Sequence, residues 1–516
     1  MTHLPVLPVL IPAFAGVLML LAGSERIRSH RALALASVAA QLAVAVLLVE
    51  RAATGEITAY ALGEWPAPFG IVLVIDRLAA IMLLLAAVVA LPVIRYASNG
   101  WDTHGKHFHA LLQFQLMGLA GAFTTGDLFN LFVFFEILLI ASYTLLLHGL
   151  GAERLRAGIH YVVLNLAASA LFLVGVALIY NATGTLNMAD IALRVAEAGP
   201  PEAALAKSGA LILLVVFGMK AAIVPLHLWL PATYAAATAP VAALFAIMTK
   251  VGVYAIVRVH ATMFGAEAGH AALVAEPWLL PAALVTALAG MLGALAAHSL
   301  SRMIAWLTVS SVGTILVGVG LFSSEGLAAS LYYLVHSTLI VAALFLLAEV
   351  VAAQRGPGAD RLQPAPPVAQ PAFLGLLLLL GAVSVTGAPP LSGFIGKLMV
   401  LESARPSAWA AWIWGVLLVT SLLGLIGMAR AGSILFWQVQ PDAQPAVASG
   451  MTRKLYAPPL FLFGVGIAMV VFASPVKRYA DSTAAQLADR GAYAATVLGS
   501  QRGLARSARP IGEARP

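Results

Sequence analysis

The sequence predicts an all-α polytopic membrane protein of about fourteen transmembrane helices. Three observations carry that prediction. The 516 residues are 61% hydrophobic and only 10% charged, with a mean hydropathy of +0.95. Apolar runs of about 20 residues, long enough to cross a bilayer as a helix, recur along most of the chain. The runs are continuous and lack the short in–out alternation of a membrane β-barrel. In hydrocarbon a helix satisfies its backbone hydrogen bonds within one segment, so helices are the form such runs take.

The spans fall at residues 4–22, 32–50, 71–91, 110–124, 128–148, 158–180, 208–230, 238–258, 278–297, 303–321, 327–349, 371–400, 407–436 and 455–474. "MTHLP" carries no positive n-region, and Arg26, Arg28 and Arg31 follow the first run, so the N-terminus reads as uncleaved and external. The odd-numbered connections then face the cytoplasm and hold Arg95, Lys106, Arg154, Arg156, Arg302, Arg355, Arg361, Arg453 and Lys454 besides those three arginines. The outer connections hold fewer: Arg51, Arg194, Lys207, Arg258 and Arg405. That asymmetry follows the positive-inside rule. The basic tail, with Lys477, Arg478, Arg490, Arg502, Arg506, Arg509 and Arg515, runs against it.

Spans four to eight and nine to thirteen form two consecutive groups of five. An odd number makes a duplicated unit insert upside down the second time, the inverted repeat of many transporters. The chain divides into an N-terminal three-helix segment (1–109), repeats at 110–260 and 278–436, and a last helix with a polar tail (437–516). The fourth span of each group is broken. One reads "FGMKAAIVPLHLWLPATY", with Pro225 and Pro231; the other reads "SVTGAPPLSGFIGKLMV", with Gly387, Pro389, Pro390 and Gly393. Proline removes a helix donor and clashes with the preceding turn, and such breaks survive in a membrane where protein or water lines them.

The sequence contains no cysteine, which excludes disulfides and cysteine-held Fe–S or haem groups in this chain. The formal charge of +7 is scattered over short loops, a membrane pattern and not a nucleic-acid footprint. No Walker loop, dinucleotide fingerprint or catalytic-triad context occurs, and the reading calls for no cofactor. His104, His107 and His109 have a spacing compatible with metal, but read as solvated loop histidines. Asp127 reads as a helix N-cap, and Asp76 with Arg77 as an interfacial pair.

Five titratable residues lie well inside apolar spans: Glu136, Lys220, Lys250, His336 and Lys397. A central charge costs about 2.5–3.5 kcal/mol on insertion scales. Glu136 is too short to snorkel, and Lys250 is central in "VAALFAIMTKVGVYAIV". One reading of Glu136 is a static ion pair with Lys220. The other is a switch: burial disfavours the lysine charge and a nearby carboxylate restores it, so movement of Glu136 sets whether Lys220 holds its proton. Lys397, beside a broken helix, reads either as a proton site or as a cap for freed carbonyls. His336 and His227 read as relay histidines or as hydrogen-bonded, packed rings.

These residues resemble the antiporter-like membrane subunits shared by Mrp-type cation/proton antiporters and respiratory complex I. The resemblance covers roughly residues 70–435. The fifth-span glutamate, "MKAAIVPLHLWLP", the eighth-span lysine and "PPLSGFIGK" fall in the family's order. "GDLFNLFVFFEILLIASY" is most similar to the D-type subunits of the Mrp (Mnh, Pha) antiporters. The resemblance implies that Glu136 and Lys220 are the input pair of a proton channel, that Lys250 and His336 continue it, and that Lys397 exchanges with one side. It implies a subunit of a bacterial inner-membrane Na⁺ or K⁺/H⁺ antiporter, a secondary transporter and not an enzyme, assembled with other hydrophobic subunits. No sodium cage of oxygen ligands is apparent, so the cation path is expected in a partner. Two other functions fit the same charges: a proton-pumping subunit of a redox-driven complex (complex I or a membrane-bound hydrogenase), and a membrane scaffold with locked ion pairs.

Overall fold

The computed structural model describes residues 3–440 and 453–507. Among them, eleven helices are long and apolar enough to cross a membrane, or twelve if one sharply bent pair counts as a single span. The helices are α1 (Leu7–Ala22), α2 (Ile27–Ala53), α3 (Arg77–Ala97), α4 (Phe108–Thr124), α5 (Leu128–Leu146) and α6 (Ala152–Thr183). They continue as α7 (Met188–Glu197), α8 (Pro200–Ala221), α9 (Trp229–Ala236), α10 (Ala239–Ile256), α11 (Glu276–Leu295) and α12 (Leu300–Val319). The last are α13 (Ser324–Arg355), α14 (Pro371–Thr386), α15 (Ser392–Ser403), α16 (Ala410–Phe436), α17 (Ala457–Val471), α18 (Ala473–Ala488) and α19 (Arg490–Ser507).

Burial sorts these helices into layers. The segment Ala239–Met263 is buried along its whole apolar window, and α12 and α13 nearly so, whereas α2, α6 and α16 bury only about a third of theirs. α10, α12 and α13 are therefore the centre. The outer helices show apolar side chains such as Leu21, Ile140, Val163, Leu376 and Leu418 to the surroundings, as lipid or neighbouring chains require.

Both broken spans are present. α8 stops at Ala221, Ala222 takes a left-handed φ of 63°, and α9 resumes at Trp229 after the turn around Pro225. α14 stops at Thr386, Gly387 takes φ 76°, and α15 resumes at Ser392 after Pro389 and Pro390. Glycine adopts that φ without a Cβ clash, and proline then prevents an unbroken ladder.

One expectation needs correction, and two further features lie outside the spans read from the sequence. The third span does not begin near residue 71. Val72–Ile75 is a β-strand, β2, paired antiparallel with β1 (Thr58–Ala61), and α3 starts only after Asp76. The run "VLVI" is apolar, mostly β-branched and buried on a ladder, so hydropathy alone reads it as the start of the helix. The short amphipathic α7, capped by Asn187, lies between spans six and seven. The described part of the polar tail is helical: α18 leaves α17 at 82°, and α19 packs on α7 and β1. Its basic residues Lys477 and Arg490 are paired with Asp481 and Glu267; Arg509 and Arg515 lie outside the described residues.

Candidate functional site

Glu136, on α5, and Lys220, in the last turn of α8, do not form an ion pair. Each is held from α6, which runs between them. The Ser169 hydroxyl donates to Glu136 Oε1, and Lys220 Nζ donates to Asn165 Oδ1 at 2.9 Å. Asn165 and Ser169 are four residues apart, so they share one face of α6, and Ser169 Oγ also reaches Asn165 O at 2.9 Å. The static pair is thus absent, but Lys220 remains within electrostatic reach of Glu136. Sequence reading missed Asn165 and Ser169. The usable signal was an amide and a hydroxyl, one turn apart, in the otherwise apolar "YVVLNLAASALF".

Lys220 is 9% exposed and sits at the carboxyl end of a half-helix, where the unsatisfied carbonyls favour a cation. A cavity of about 20 Å³ lies beside it, lined by Asn165, Tyr161, Trp229, Met248 and Val251. That is room for one water, between α8 and α10. The two helices touch at Gly252: a Cβ there would lie 2.5 Å from Ala221 N and 2.8 Å from Phe217 O. Asn165→Leu should leave the Lys220 ammonium without its acceptor and uncouple it from α6. We expect cation-dependent proton transport to fall about ten-fold with the protein still assembled, the loss of one charge-assisted hydrogen bond. Wild-type rates in Asn165→Leu vesicles would remove α6 from the path.

Lys250, on α10, has no exposed surface, and its Nζ has no hydrogen-bond partner among the described residues. His336, on α13, lies within electrostatic reach of both Lys250 and Lys397. Its Nδ1 is 2.8 Å from Ser392 Oγ, at the first residue of α15, so the imidazole is tied to the break. Gly393 makes that approach possible, since a Cβ there would come within 2.8 Å of His336 Nε2 and closer still to Ser384 O. Lys397 Nζ donates to Thr386 O and Ser421 Oγ, both at 2.9 Å. It therefore caps the last carbonyl of α14. The lysine precedes the prolines in one broken span and follows them in the other, yet both end at the carboxyl end of the first half-helix.

His227 stands apart from this row. Its ring packs against Trp306 at 5.5 Å between centroids, and Nδ1 has no partner among the described residues.

Two buried charge groups lie outside the row. Asp76 does not pair with Arg77, whose guanidinium reaches Ala53 O. Asp76 accepts Arg258 through two hydrogen bonds of 2.5 and 2.9 Å and caps α3 through Ala79 N. Arg258, read from sequence as a loop charge, is 2% exposed; it also contacts Tyr254 Oη and lies 5.8 Å from the Tyr493 ring. At the opposite end, His109 is not solvated. It is fully buried, with Nε2 2.9 Å from Asp102 Oδ2, and Arg31 grips the same carboxylate at 2.7 and 2.8 Å. Burial pushes the Asp102 carboxyl up, but the hydrogen bonds from Arg31 and His109 outweigh it and hold it at about 2. Asp127 accepts from Asn130 N as the cap of α5. Among the described residues no group of three or more His, Asp or Glu side chains is placed to hold a metal ion.

An apolar helical exterior around a row of buried ionisable side chains, with two helices broken beside that row, defines an ion-translocating membrane protein. The family described as "NADH:quinone oxidoreductase/Mrp antiporter, TM" matches residues 125–424, and the chain belongs to it. The D subunit of a probable K⁺/H⁺ antiporter of Rhizobium meliloti is 42% identical, over 97% of this chain and 98% of that protein. The D subunit of the Na⁺/H⁺ antiporter of Bacillus subtilis is 36% identical, over 96% of this chain and 100% of that protein. A chain in the structure of the Mrp complex from Dietzia sp. DQ12-45-1b superposes with a TM-score of 0.86 at 28% identity, covering 96% of this chain and 99% of that one.

Proposed function

We infer that this chain is the proton-translocating subunit of a multisubunit monovalent-cation/proton antiporter of the bacterial cytoplasmic membrane. It is a secondary transporter subunit and works with other hydrophobic subunits. One observation carries the reading: Lys220, Lys250, His336 and Lys397 are buried inside the chain, with Glu136 half-buried on α5 and linked towards Lys220 through α6, and its near-full-length relatives are cation/proton antiporter subunits.

The fourteen crossings follow if α4, α17 and the two broken pairs α8–α9 and α14–α15 each count as one span beside α1–α3, α5, α6, α10–α13 and α16. α4–α10 and α11–α16 are then the two inverted units, with a break in the fourth span of each.

In this mechanism Glu136 and Lys220 share α6 in place of a direct pair. A proton arriving on Glu136 weakens its hold on Ser169 and changes the field at Lys220. The proton of Lys220 then passes by a water to Lys250, and by His336 to Lys397. Each unit of charge moved inward is driven by about 2.3 kcal/mol per 100 mV of membrane potential. The transported cation is Na⁺ or K⁺, carried in a partner subunit.

The test uses inside-out vesicles holding the assembled complex. Adding Na⁺ or K⁺ should collapse a preformed pH gradient in wild type, and Glu136→Gln should lose most of that response. No proton movement with either cation from the assembled wild-type complex would reject the antiporter reading. An unaltered response in Glu136→Gln would reject Glu136 as part of the path.

A further inference from the structure

The row of buried groups has an unaccounted end. Lys397 offers exchange at one side, but nothing described so far joins Lys250 to the cytoplasm. Four segments that the charge pattern places on the cytoplasmic side meet there: the start of α6, the end of α9 with the start of α10, the start of α12, and the end of α13. Between them lies an open cavity of about 590 Å³, lined by Arg154, Tyr234, Ala242, Phe345, Glu349 and Asp360. A second, of about 1120 Å³, adjoins it and shares Asp360.

The charged groups of this basin are in different situations. Arg154 is engaged by backbone, through Ala236 O and Leu150 O. Asp360 accepts from Ser301 N and so caps α12, on a loop that Arg355 fixes through Ala359 O, Arg361 O and Gln363 O. Glu153 and Glu349 both lack a hydrogen bond or ion pair among the described residues, but Glu153 is exposed at the start of α6, whereas Glu349 is partly buried and lines the cavity from the last turns of α13. Its charged neighbours are Asp360, Arg154 and His104.

We propose that Glu349 is the cytoplasmic proton-exchange group of the path, loading and unloading Lys250 through the cavity at the end of α13. The proposal rests on the proton-path reading of Lys250 given above. Ala242, on the cavity wall, precedes Lys250 by two turns of α10, about 12 Å at ~1.5 Å per residue. Ala246 lies between them on the same ridge, and its side chain is small enough to leave space for water when α10 and α13 shift. The exchange balances simply. A hydronium ion gives its proton to a Glu349 carboxylate oxygen, forming one O–H bond and leaving water. That O–H bond then breaks as a water chain delivers a proton to neutral Lys250, where an N–H bond forms and the carboxylate is restored. The reverse sequence releases a proton to the cytoplasm.

The assembled complex in inside-out vesicles tests this, because the basin then faces the medium. Glu349→Ala should slow cation-dependent proton movement about ten-fold at low external buffer, since water alone replaces only part of a positioned proton donor. A high concentration of the impermeant buffer MES, small enough to enter the cavity, should restore most of the rate. Glu349→Gln should be equally slow and less well restored, because its side chain still fills the site. Wild-type rates in both variants would overturn the proposal, as would slowing that no buffer relieves, or failure of both to assemble, which would make Glu349 structural. Lys250→Met is run beside them. If it transports normally, the underlying path is wrong; if it is inactive while the Glu349 variants are normal, only the Glu349 assignment falls.

Discussion

Lys250→Met abolishes proton transport, by about a hundred-fold or more, and leaves the protein at least as stable as before; that is the expected result of removing a buried proton carrier. The two halves of this outcome have one cause. Lys250 is fully buried and its ammonium has no partner among the described residues. Its removal orphans no other group, and methionine fills nearly the same volume. The folded protein is relieved of a charge that costs about 2.5–3.5 kcal/mol at membrane depth. The proton row, in contrast, loses the link between Lys220 and His336. The measurements are a cation-dependent pH-gradient assay in vesicles and thermal unfolding of the purified complex in detergent. Retained transport would mean that protons bypass α10. A markedly lower unfolding temperature would mean that the lysine holds the fold together.

Arg258→Met has the opposite profile. Arg258 and Asp76 form a buried two-point ion pair, and removing one partner leaves the other charge uncompensated. Breaking such a pair typically costs about 3–5 kcal/mol, so the variant should lose most of its assembled protein from the membrane. Adding Asp76→Asn should recover most of that loss. Asparagine keeps the N-cap of α3, which Asp76 supplies through Ala79 N, and removes the orphaned charge. Quantifying complex on native gels for the single and double variants decides it. A single variant as abundant as wild type, or a double variant no better than the single, would show that the pair does not bear on stability. Two cations a short way apart on the segment Ala239–Met263, Lys250 unpaired among the described residues and Arg258 paired, thus separate transport from structure.

Much of this was readable from the chain. The spans follow from runs of apolar residues, because lipid imposes length and composition directly. The breaks at Pro225 and at Gly387–Pro390 follow from backbone chemistry that acts locally. Glu136, Lys220, Lys250 and Lys397 stand out because an ionisable group in hydrocarbon is costly. What failed to show was whatever depends on a distant partner. Asp76 and Arg258 are 182 residues apart, and nothing near either names the other. Asn165 and Ser169 are uncharged and pass for ordinary helix residues until α5 and α8 are packed on either side. His109 lies in a polar stretch that looks solvated, and only the fold turns its ring inward to Asp102. Glu349 sits where an apolar run ends, a usual place for an acid, and only the cavity makes it unusual.

The pairing of Asp76 with Arg258 has a consequence for how the chain is made. Asp76 leaves the ribosome well before Arg258, and at about 5–20 residues per second the interval is roughly 10–40 s. Throughout that time its carboxylate lacks the Arg258 guanidinium that it pairs with in the folded chain. Tyr493, which covers Arg258, is among the last residues synthesised before the end of α19. The cover over the first helices is therefore completed by a segment made long after them, and insertion and closure are separate events in the life of each molecule.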